Sequence, residues 1–165
     1  MTVARRKAEG ASTPATLALI DLGIAFTPRP YQHDSSTTAF GLEAAAALGV
    51  DPSRVFKTLM AEVDGSLVVA VVPVSGQLDL KVLATAVGGK RARLADPAVA
   101  ERKTGYVVGG ISPIGQRTAI PTVLDASATD HETVFVSGGR RGFDLELDPE
   151  GLRTATSAVV APIAR

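Results

Sequence analysis

The sequence contains no cysteine among its 165 residues. This absence excludes disulfides, thiolate metal sites and a cysteine nucleophile. A thiol can take part in the chemistry of this protein only if the substrate supplies it.

The sequence also lacks an excess of charge of either sign, because 17 Lys and Arg residues balance 17 Asp and Glu residues. Proteins that bind long nucleic-acid duplexes usually carry a strongly basic surface. If RNA is the partner, we therefore expect few and local contacts, as at a single-stranded end.

Long hydrophobic runs are missing as well. The longest, residues 67–74, is far shorter than the roughly 20 residues that a membrane-spanning helix needs. No apolar segment follows Arg5, Arg6 and Lys7, so we expect no signal peptide, no membrane partner and a cytoplasmic location. Residues 1–12 are predicted to be a flexible tail.

The remaining residues, 13–165, have the size and composition of one globular domain. Hydrophobic residues make up 45% of the chain and charged residues 21%, close to the averages for folded proteins. Neither an internal repeat nor a linker divides the segment, so one core is expected.

Capping residues, prolines and glycines predict several short helices. These helices cover residues 15–22, 40–48, 80–87 and 97–103, with another after Asp148 and Pro149. The pair Asp64-Gly65 between two apolar runs predicts a β-hairpin of residues 55–63 and 67–74. Further strands are predicted at residues 24–31 (an edge strand), 118–124, 133–136 and 143–147, with a turn at 137–142. The pattern favours a single α/β domain of the α+β type, with a curved, mixed and mostly antiparallel sheet and a barrel-like core flanked by short helices.

Lys57 is the most unusual residue, because it lies within an otherwise apolar predicted strand. Val55 and Leu59 share its face of the strand. One interpretation is a lysine whose long side chain reaches water. The other is an ammonium directed into a pocket, where it could hold a carbonyl, phosphate or hydroxyl group.

Two glycine-rich segments are further candidates for a site. Residues 105–115 could expose backbone N–H groups to a ligand, although they match neither a P-loop nor a nucleophile elbow. Residues 137–142 carry Arg140 and Arg141, which could grip phosphate or form a solvated hairpin tip. The two histidines, His33 and His131, have no ligand spacing around them, so neither a metal site nor a Ser-His-Asp triad is expected.

In order along the chain, several segments resemble the YbaK/EbsC family of Cys-tRNA(Pro) and Cys-tRNA(Cys) deacylases. That family is related to the editing domain of bacterial prolyl-tRNA synthetase. The matching segments are residues 31–34, 55–59, 73–81, 95–97, 105–116, 124–125 and 136–142. The run Gly109-Gly110-Ile111-Ser112-Pro113, followed by Gly115-Gln116, is the most diagnostic of them.

The resemblance implies a site. Lys57 matches the essential lysine of the family. Substrate-binding positions are expected at Tyr31, Thr58, Gly110, Ile111, Ser112, Ser137 and Asp144. Arg140 and Arg141 are candidate contacts to tRNA phosphates, and no cofactor or metal is implied.

The resemblance also implies an enzyme that clears mischarged Cys-tRNA(Pro), with Cys-tRNA(Cys) as a second candidate substrate, by cleaving the aminoacyl ester at the 3′ end. In the family, the thiol of the substrate cysteine is thought to attack its own carbonyl, so that the protein supplies positioning and charge. Prolyl-tRNA synthetase is a candidate partner. Three alternatives remain open: a deacylase for alanine or another small amino acid, a non-catalytic module that binds the acceptor end or a synthetase, and a general small-molecule hydrolase.

Overall fold

The structure, a computed structural model, describes residues 12–165. The predicted tail therefore lies outside the described residues, apart from Ser12. The family resemblance begins within the described part of the chain.

Five α-helices are present in residues 12–165, and four of them begin at a side-chain cap. Thr13, Asp79, Asp96 and Asp148 each accept a hydrogen bond from a backbone N–H in the first turn, which satisfies a donor that the helix leaves free. The helices are α1 (Pro14–Leu22), α2 (Phe40–Leu48), α3 (Leu80–Ala86), α4 (Pro97–Thr104) and α5 (Pro149–Thr156).

The same part of the chain contains eight β-strands, which form two sheets. They are β1 (Thr27–Pro30), β2 (Phe56–Val63), β3 (Ser66–Pro73), β4 (Ala92–Leu94), β5 (Thr122–Asp125), β6 (Val134–Arg140), β7 (Phe143–Leu147) and β8 (Val159–Ala161). The smaller sheet has the order β1-β7-β6, and the larger has the order β4-β2-β3-β5-β8. The β3–β5 and β5–β8 pairs are parallel and the other four are antiparallel, which confirms a mixed and mostly antiparallel architecture.

The predicted hairpin is confirmed, and it fixes the register of the larger sheet. Asp64 and Gly65 both have positive φ, at 50° and 85°, as a two-residue turn with matching twist requires. Val63 pairs with Ser66, and the pairing continues without interruption to Phe56 and Pro73.

Both faces of this hairpin are covered, as its apolar composition predicts. Phe56, Met60, Val69 and Val71 belong to the largest core cluster, together with the inward side chains of β6 and β7. The alternate side chains of the hairpin join a second cluster under α3. Coverage of both faces makes β2 a rigid support for residues at its edge.

Three features differ from the predictions. First, β6 extends to Arg140 through a register irregularity between Ser137 and Arg140, so the turn is only two residues long and the predicted turn at 137–142 is wrong. Glycines at 138 and 139 allow this irregular pairing, because Gly139 has a φ of 110°. Second, β4 and β8 were not predicted, since each is three residues long and borders charged or polar segments.

Third, the strands do not close into a barrel. Among the described residues, the hydrogen-bonded pairing between the two sheets is limited to one parallel bridge between Val55 and Phe135. The predicted barrel-like core is therefore corrected to two sheets that share the main core without closing into a barrel.

The C-terminal segment is fastened to the larger sheet by the buried carboxylate of Asp125. Its Oδ1 accepts hydrogen bonds of 2.9 Å from the N–H groups of both Ile163 and Ala164. Its Oδ2 accepts from the backbone N–H and the hydroxyl of Ser127. One side chain therefore satisfies four donors.

We predict that Asp125→Ala lowers the free energy of unfolding by about 2–4 kcal/mol, because it leaves buried donors without a partner. Asp148→Ala is the matched control, since it removes an exposed helix cap and should cost only about 1 kcal/mol. Urea unfolding followed by circular dichroism measures both values. Equal losses in the two variants would show that Asp125 does not fasten the C-terminal segment.

Candidate active site

The edge of β2 that faces away from β3 is paired at both ends but not in the middle. β4 pairs with it from Ala61 to Val63, and the bridge to β6 lies at Val55. Within residues 12–165, no strand pairs with this edge around Thr58. The two neighbouring strands diverge here and leave an opening beside the strand.

A cavity of about 490 Å³ occupies this opening. Its walls come from the segment before α2, from α2, from both faces of β2, from the β4–α4 region, and from the glycine-rich loop and the β6–β7 hairpin. The lining residues are Tyr31, Thr38, Ala39, Phe40, Gly41, Leu42, Ala44, Val55, Phe56, Lys57, Thr58, Leu59, Met60, Val74, Leu94, Ala95, Pro97, Ala100, Val108, Gly109, Ile111, Ser137 and Asp144. The structure thus brings six of the predicted site residues, Tyr31, Lys57, Thr58, Ile111, Ser137 and Asp144, into one cavity.

Lys57 is half-buried in the wall of this cavity. Its Nζ donates a hydrogen bond of 3.3 Å to the carbonyl oxygen of Gly76, and among the described residues no carboxylate forms an ion pair with it. An ammonium has three donors, so Lys57 has donors left for a ligand in the cavity.

Ser137 and Asp144 lie opposite each other in the β6–β7 pair. Phe143 and Leu145, the neighbours of Asp144, point into the main core, so the alternation of the strand directs Asp144 to the cavity side. Tyr31 approaches the same hairpin, because its N–H donates to the carbonyl oxygen of Gly142 at 2.9 Å. These three polar side chains form one side of the cavity.

The Asp144 carboxyl is buried without a compensating donor from the described residues. Burial raises the pKa of Asp144 from 3.8 to about 7, since desolvation disfavours the charged form. Burial, followed by the negative charge of Asp144, raises the pKa of Tyr31 to about 12, so its hydroxyl remains a donor. A buried carboxyl in a cleft, with a pKa shifted close to neutral pH, is typical of a functional site.

The other side of the cavity is apolar, and Thr58 supplies the polar atom in it. Phe56, Met60 and Ala100 belong to the main core here, and Ile111 packs against that core. The Thr58 hydroxyl oxygen is buried and has no hydrogen-bond partner. Such an orphan hydroxyl is costly unless a ligand satisfies it.

Two predicted site residues, Gly110 and Ser112, lie behind the cavity wall rather than in it. A Cβ on Gly110 would lie 2.7 Å from the Cα of Arg140, so only glycine permits this close contact between the loop and the β6–β7 hairpin. Ser112 is fully buried, and its hydroxyl accepts a hydrogen bond from the N–H of Ile114. Both residues shape the loop that carries Ile111 and Gly109 into the cavity.

The two arginines of the predicted turn stack on aromatic rings. Arg140 lies over Phe143, with its Cζ 4.7 Å from the ring centre, and Arg141 lies over Phe40 at 4.9 Å. Arg141 also donates a hydrogen bond of 2.9 Å to the carbonyl oxygen of Val108. Because Phe40 and Val108 line the cavity, Arg141 is an exposed cation beside its wall.

Sequence reasoning missed the contribution of the segment before α2. His33 Nδ1 lies 2.7 Å from Glu43 Oε1, and Glu43 Oε2 accepts the N–H of Asp34, which joins the segment to the helix. Phe40 and Leu42 thereby become part of the cavity wall. An aromatic residue at the start of a helix, seven residues after a histidine, is too common a pattern to have revealed this.

Residues 12–165 contain no cluster of three or more His, Asp or Glu side chains that could hold a metal ion. None of the helices in the same residues has the length and apolar character needed to cross a lipid bilayer.

Comparison with known proteins identifies a family. Residues 36–155 match the family model described as "Aminoacyl-tRNA editing domain". Over 120 residues, which are 72% of this chain and 73% of the relative, the sequence is 40% identical to a protein of Enterococcus faecalis that bears the provisional name Cys-tRNA(Pro)/Cys-tRNA(Cys) deacylase EbsC.

Two further similarities are to proteins whose names refer to proline or to prolyl-tRNA synthetase. It is 32% identical over 103 residues, 62% of its length, to a proline–tRNA ligase of Moorella thermoacetica, of which the match covers 18%. It also superimposes on a crystal structure described provisionally as a trans-editing enzyme for prolyl-tRNA synthetase, with a TM-score of 0.80, 25% identity and coverage of 100% of this chain and 99% of that one.

The family model spans most of the chain, the matched region contains Lys57, Thr58 and Asp144, and these residues line one cavity. The chain belongs to the aminoacyl-tRNA editing family and is an aminoacyl-tRNA deacylase.

Proposed function

We propose that the chain is a free-standing editing enzyme that hydrolyses mischarged Cys-tRNA(Pro), with Cys-tRNA(Cys) as a second candidate substrate. The observation that carries the proposal is the composition of the cavity wall. It offers an ammonium, a carboxyl and hydroxyl groups, but no histidine and no cysteine among its residues. Such a wall is suited to positioning a substrate that brings its own nucleophile.

The reaction starts when the substrate thiol loses its proton and its sulfur attacks the carbonyl carbon of the same aminoacyl group. The bond between that carbon and the ribose oxygen breaks, and the ribose oxygen takes up a proton. The first products are the free tRNA and a four-membered thiolactone. Water then opens the thiolactone to cysteine. Negative charge develops on the carbonyl oxygen as the sulfur attacks, so a nearby cation stabilises the transition state.

Lys57 supplies that positive charge in this proposal. Its Nζ lies in the wall and has donors that are not used within the protein, and a fixed ammonium stabilises negative charge that develops on the carbonyl oxygen. It could equally anchor the terminal adenosine. In both roles it binds and polarises the substrate and does not attack it.

The polar side, with Tyr31, Ser137 and Asp144, suits the terminal ribose and adenine. A carboxylate accepts hydrogen bonds from sugar hydroxyls, and a protonated tyrosine donates. Arg141 beside the wall is a candidate contact to a phosphate of the acceptor end, as is Arg140 at the end of β6. Neither arginine reads a base, so recognition of tRNA(Pro) by way of prolyl-tRNA synthetase fits the neutral overall charge. The enzyme would then act in the cytoplasm, together with the translation machinery.

The substrate panel is the first test. With Cys-, Ala- and Ser-tRNA(Pro) at equal concentration, we expect rapid deacylation of the cysteinyl ester only, because alanine and serine have no thiol. Release of labelled amino acid measures the rates, and buffer without enzyme is the control. Rapid loss of the alanyl or seryl ester would contradict thiol assistance and would favour a deacylase for small amino acids.

Lys57→Ala is expected to lower the rate of Cys-tRNA(Pro) deacylation by about 10²–10³-fold, as removal of an electrostatic stabiliser does in other enzymes. Lys81→Ala is the matched control, because Lys81 is an exposed lysine of α3 and its loss should leave the rate unchanged.

Two outcomes of the Lys57→Ala experiment count against the proposal. An unchanged rate in Lys57→Ala would contradict the assignment of the site. No deacylation by the wild-type chain would favour a module that binds the acceptor end without turnover.

Asp144→Asn should lower the deacylation rate and, at the same time, stabilise the fold at alkaline pH. The pKa of Asp144 is about 7 in the folded chain and about 4 in the unfolded chain. The protonated carboxyl therefore stabilises the fold below pH 4, and this contribution is lost as the pH rises from about 4 to about 7. Relative to Asp144→Asn, the wild type should lose about 2–4 kcal/mol of stability between pH 4 and pH 8.

Unfolding curves recorded at pH 4 and pH 8 measure the difference in stability between the wild type and Asp144→Asn. Asp125→Asn is the control and should destabilise, since the Asp125 carboxylate accepts four hydrogen bonds. A stability difference between wild type and Asp144→Asn that does not change with pH would contradict the buried, uncompensated state of Asp144.

A further inference from the structure

The main chain of Thr58 is directed toward the cavity. In a two-residue hairpin the flanking residues, here Val63 and Ser66, exchange both backbone hydrogen bonds, and such pairs then alternate along the ladder. The residues of β2 bonded to β3 are therefore Val63, Ala61, Leu59 and Lys57. Thr58, paired with Val71 at a non-bonded position, turns both its N–H and its C=O to the opposite edge.

Hydrogen bonds at other positions support this alternation. The carbonyl oxygen of Met60 accepts from the N–H of Ala95 at 2.9 Å, on the edge away from β3. The carbonyl oxygen of Val55 accepts from Val74, which follows β3. Thr58 lies between Val55 and Met60 and, like Met60, directs its N–H and C=O away from β3. No strand in the described residues pairs with Thr58 on that edge.

We propose that the aminoacyl group of the substrate adds to this edge as a one-residue antiparallel strand opposite Thr58. Its α-amino group donates to the Thr58 carbonyl oxygen, and its ester carbonyl accepts from the Thr58 N–H. A single residue can exchange both bonds with one partner only in the antiparallel arrangement. This inference rests on the proposed function, and it specifies how the site recognises the amino acid.

The antiparallel arrangement also determines which side of the cavity receives the amino-acid side chain. Residues directly opposite each other in an antiparallel pair project to the same face, so the substrate side chain enters the apolar side with the Thr58 hydroxyl. That hydroxyl, which has no partner in the described residues, lies next to a small polar side chain such as that of cysteine.

The direction of the added strand determines where the ester end and the amino end of the substrate lie. Antiparallel to β2, the ester end points toward the start of the strand, where β6 brings Phe135 and Ser137. The amino end points toward Met60, whose carbonyl is already bonded to Ala95. The edge is therefore closed directly beyond the amino group.

This closure predicts that the enzyme requires a free α-amino group. N-acetyl-Cys-tRNA(Pro) keeps the thiol and the ester, but its acetyl group would extend into the space taken by the Met60–Ala95 bond. Relative to hydrolysis in buffer, we expect the enzyme to accelerate its cleavage at least about tenfold less than that of Cys-tRNA(Pro), a loss equivalent to one unfavourable contact. Normalising to the buffer rate removes the intrinsic effect of acetylation on the ester.

The outcomes separate this inference from the proposed function. Equal acceleration of both esters would overturn the edge-addition mode while leaving the deacylase intact. Acceleration of neither ester would overturn the proposed function and this inference with it.

A second measurement observes the edge directly. The probe is 3′-cysteinylamino-3′-deoxyadenosine, in which an amide replaces the ester, added to isotope-labelled protein. The amide proton of Thr58 should shift downfield and exchange more slowly with solvent. The amide of Leu59, already bonded to β3 through its pairing with Ala70, is the internal control. A Thr58 response no larger than that of Leu59 would contradict the proposal.

Discussion

The interrupted pairing along one edge of β2 is the constraint on which the rest of the site depends. β2 is fixed by β3 along its whole length and is covered by core residues on both faces, so it cannot move to close the opening. β4 and the start of β6 hold its outer edge at the two ends. A backbone edge within a folded domain is normally paired or exposed to water. Here the backbone edge lines a cavity, and a ligand can supply the missing hydrogen-bond partners.

The same rigid strand places side chains of opposite character on the two sides of the opening. Successive residues of a strand point to opposite faces, so Lys57 and Thr58, although adjacent, line different sides of one cavity. The Thr58 hydroxyl lies on the apolar side of the cavity, and the Lys57 ammonium lies on the other side of the strand. The buried Asp144 adds a carboxyl whose pKa, raised to about 7 by burial, makes it costly to the fold. Such a cost is expected where a group is kept for function and not for stability.

The sequence predicted the elements that local signals specify. Proline and aspartate caps placed the helices correctly, and Asp64-Gly65 gave the hairpin and its register. The family resemblance selected Tyr31, Lys57, Thr58, Ile111, Ser137 and Asp144, which the fold brings into one cavity. The assignment of Lys57 as the catalytic residue and of the other five as substrate-binding residues remains a prediction.

What could not be predicted depends on contacts distant in the chain. The opening exists because β6, which follows Lys57 by almost eighty residues, touches β2 at Val55 and then diverges. No local pattern encodes that separation, nor the wall that Phe40 contributes. Gly110 and Ser112 show the same limit: their motif is diagnostic of the family, yet they support the loop from behind the cavity wall.

In the proposed mechanism, the cavity positions an aminoacyl ester whose own thiol performs the attack. The most direct test of this mechanism compares Cys-tRNA(Pro) with S-methylcysteinyl-tRNA(Pro), which keeps the sulfur and the free amino group but has no thiol proton to release. The enzyme should cleave the first rapidly, and the second should persist as long as it does in buffer while competing for the site. Cleavage of the S-methyl ester at a comparable rate would contradict the account.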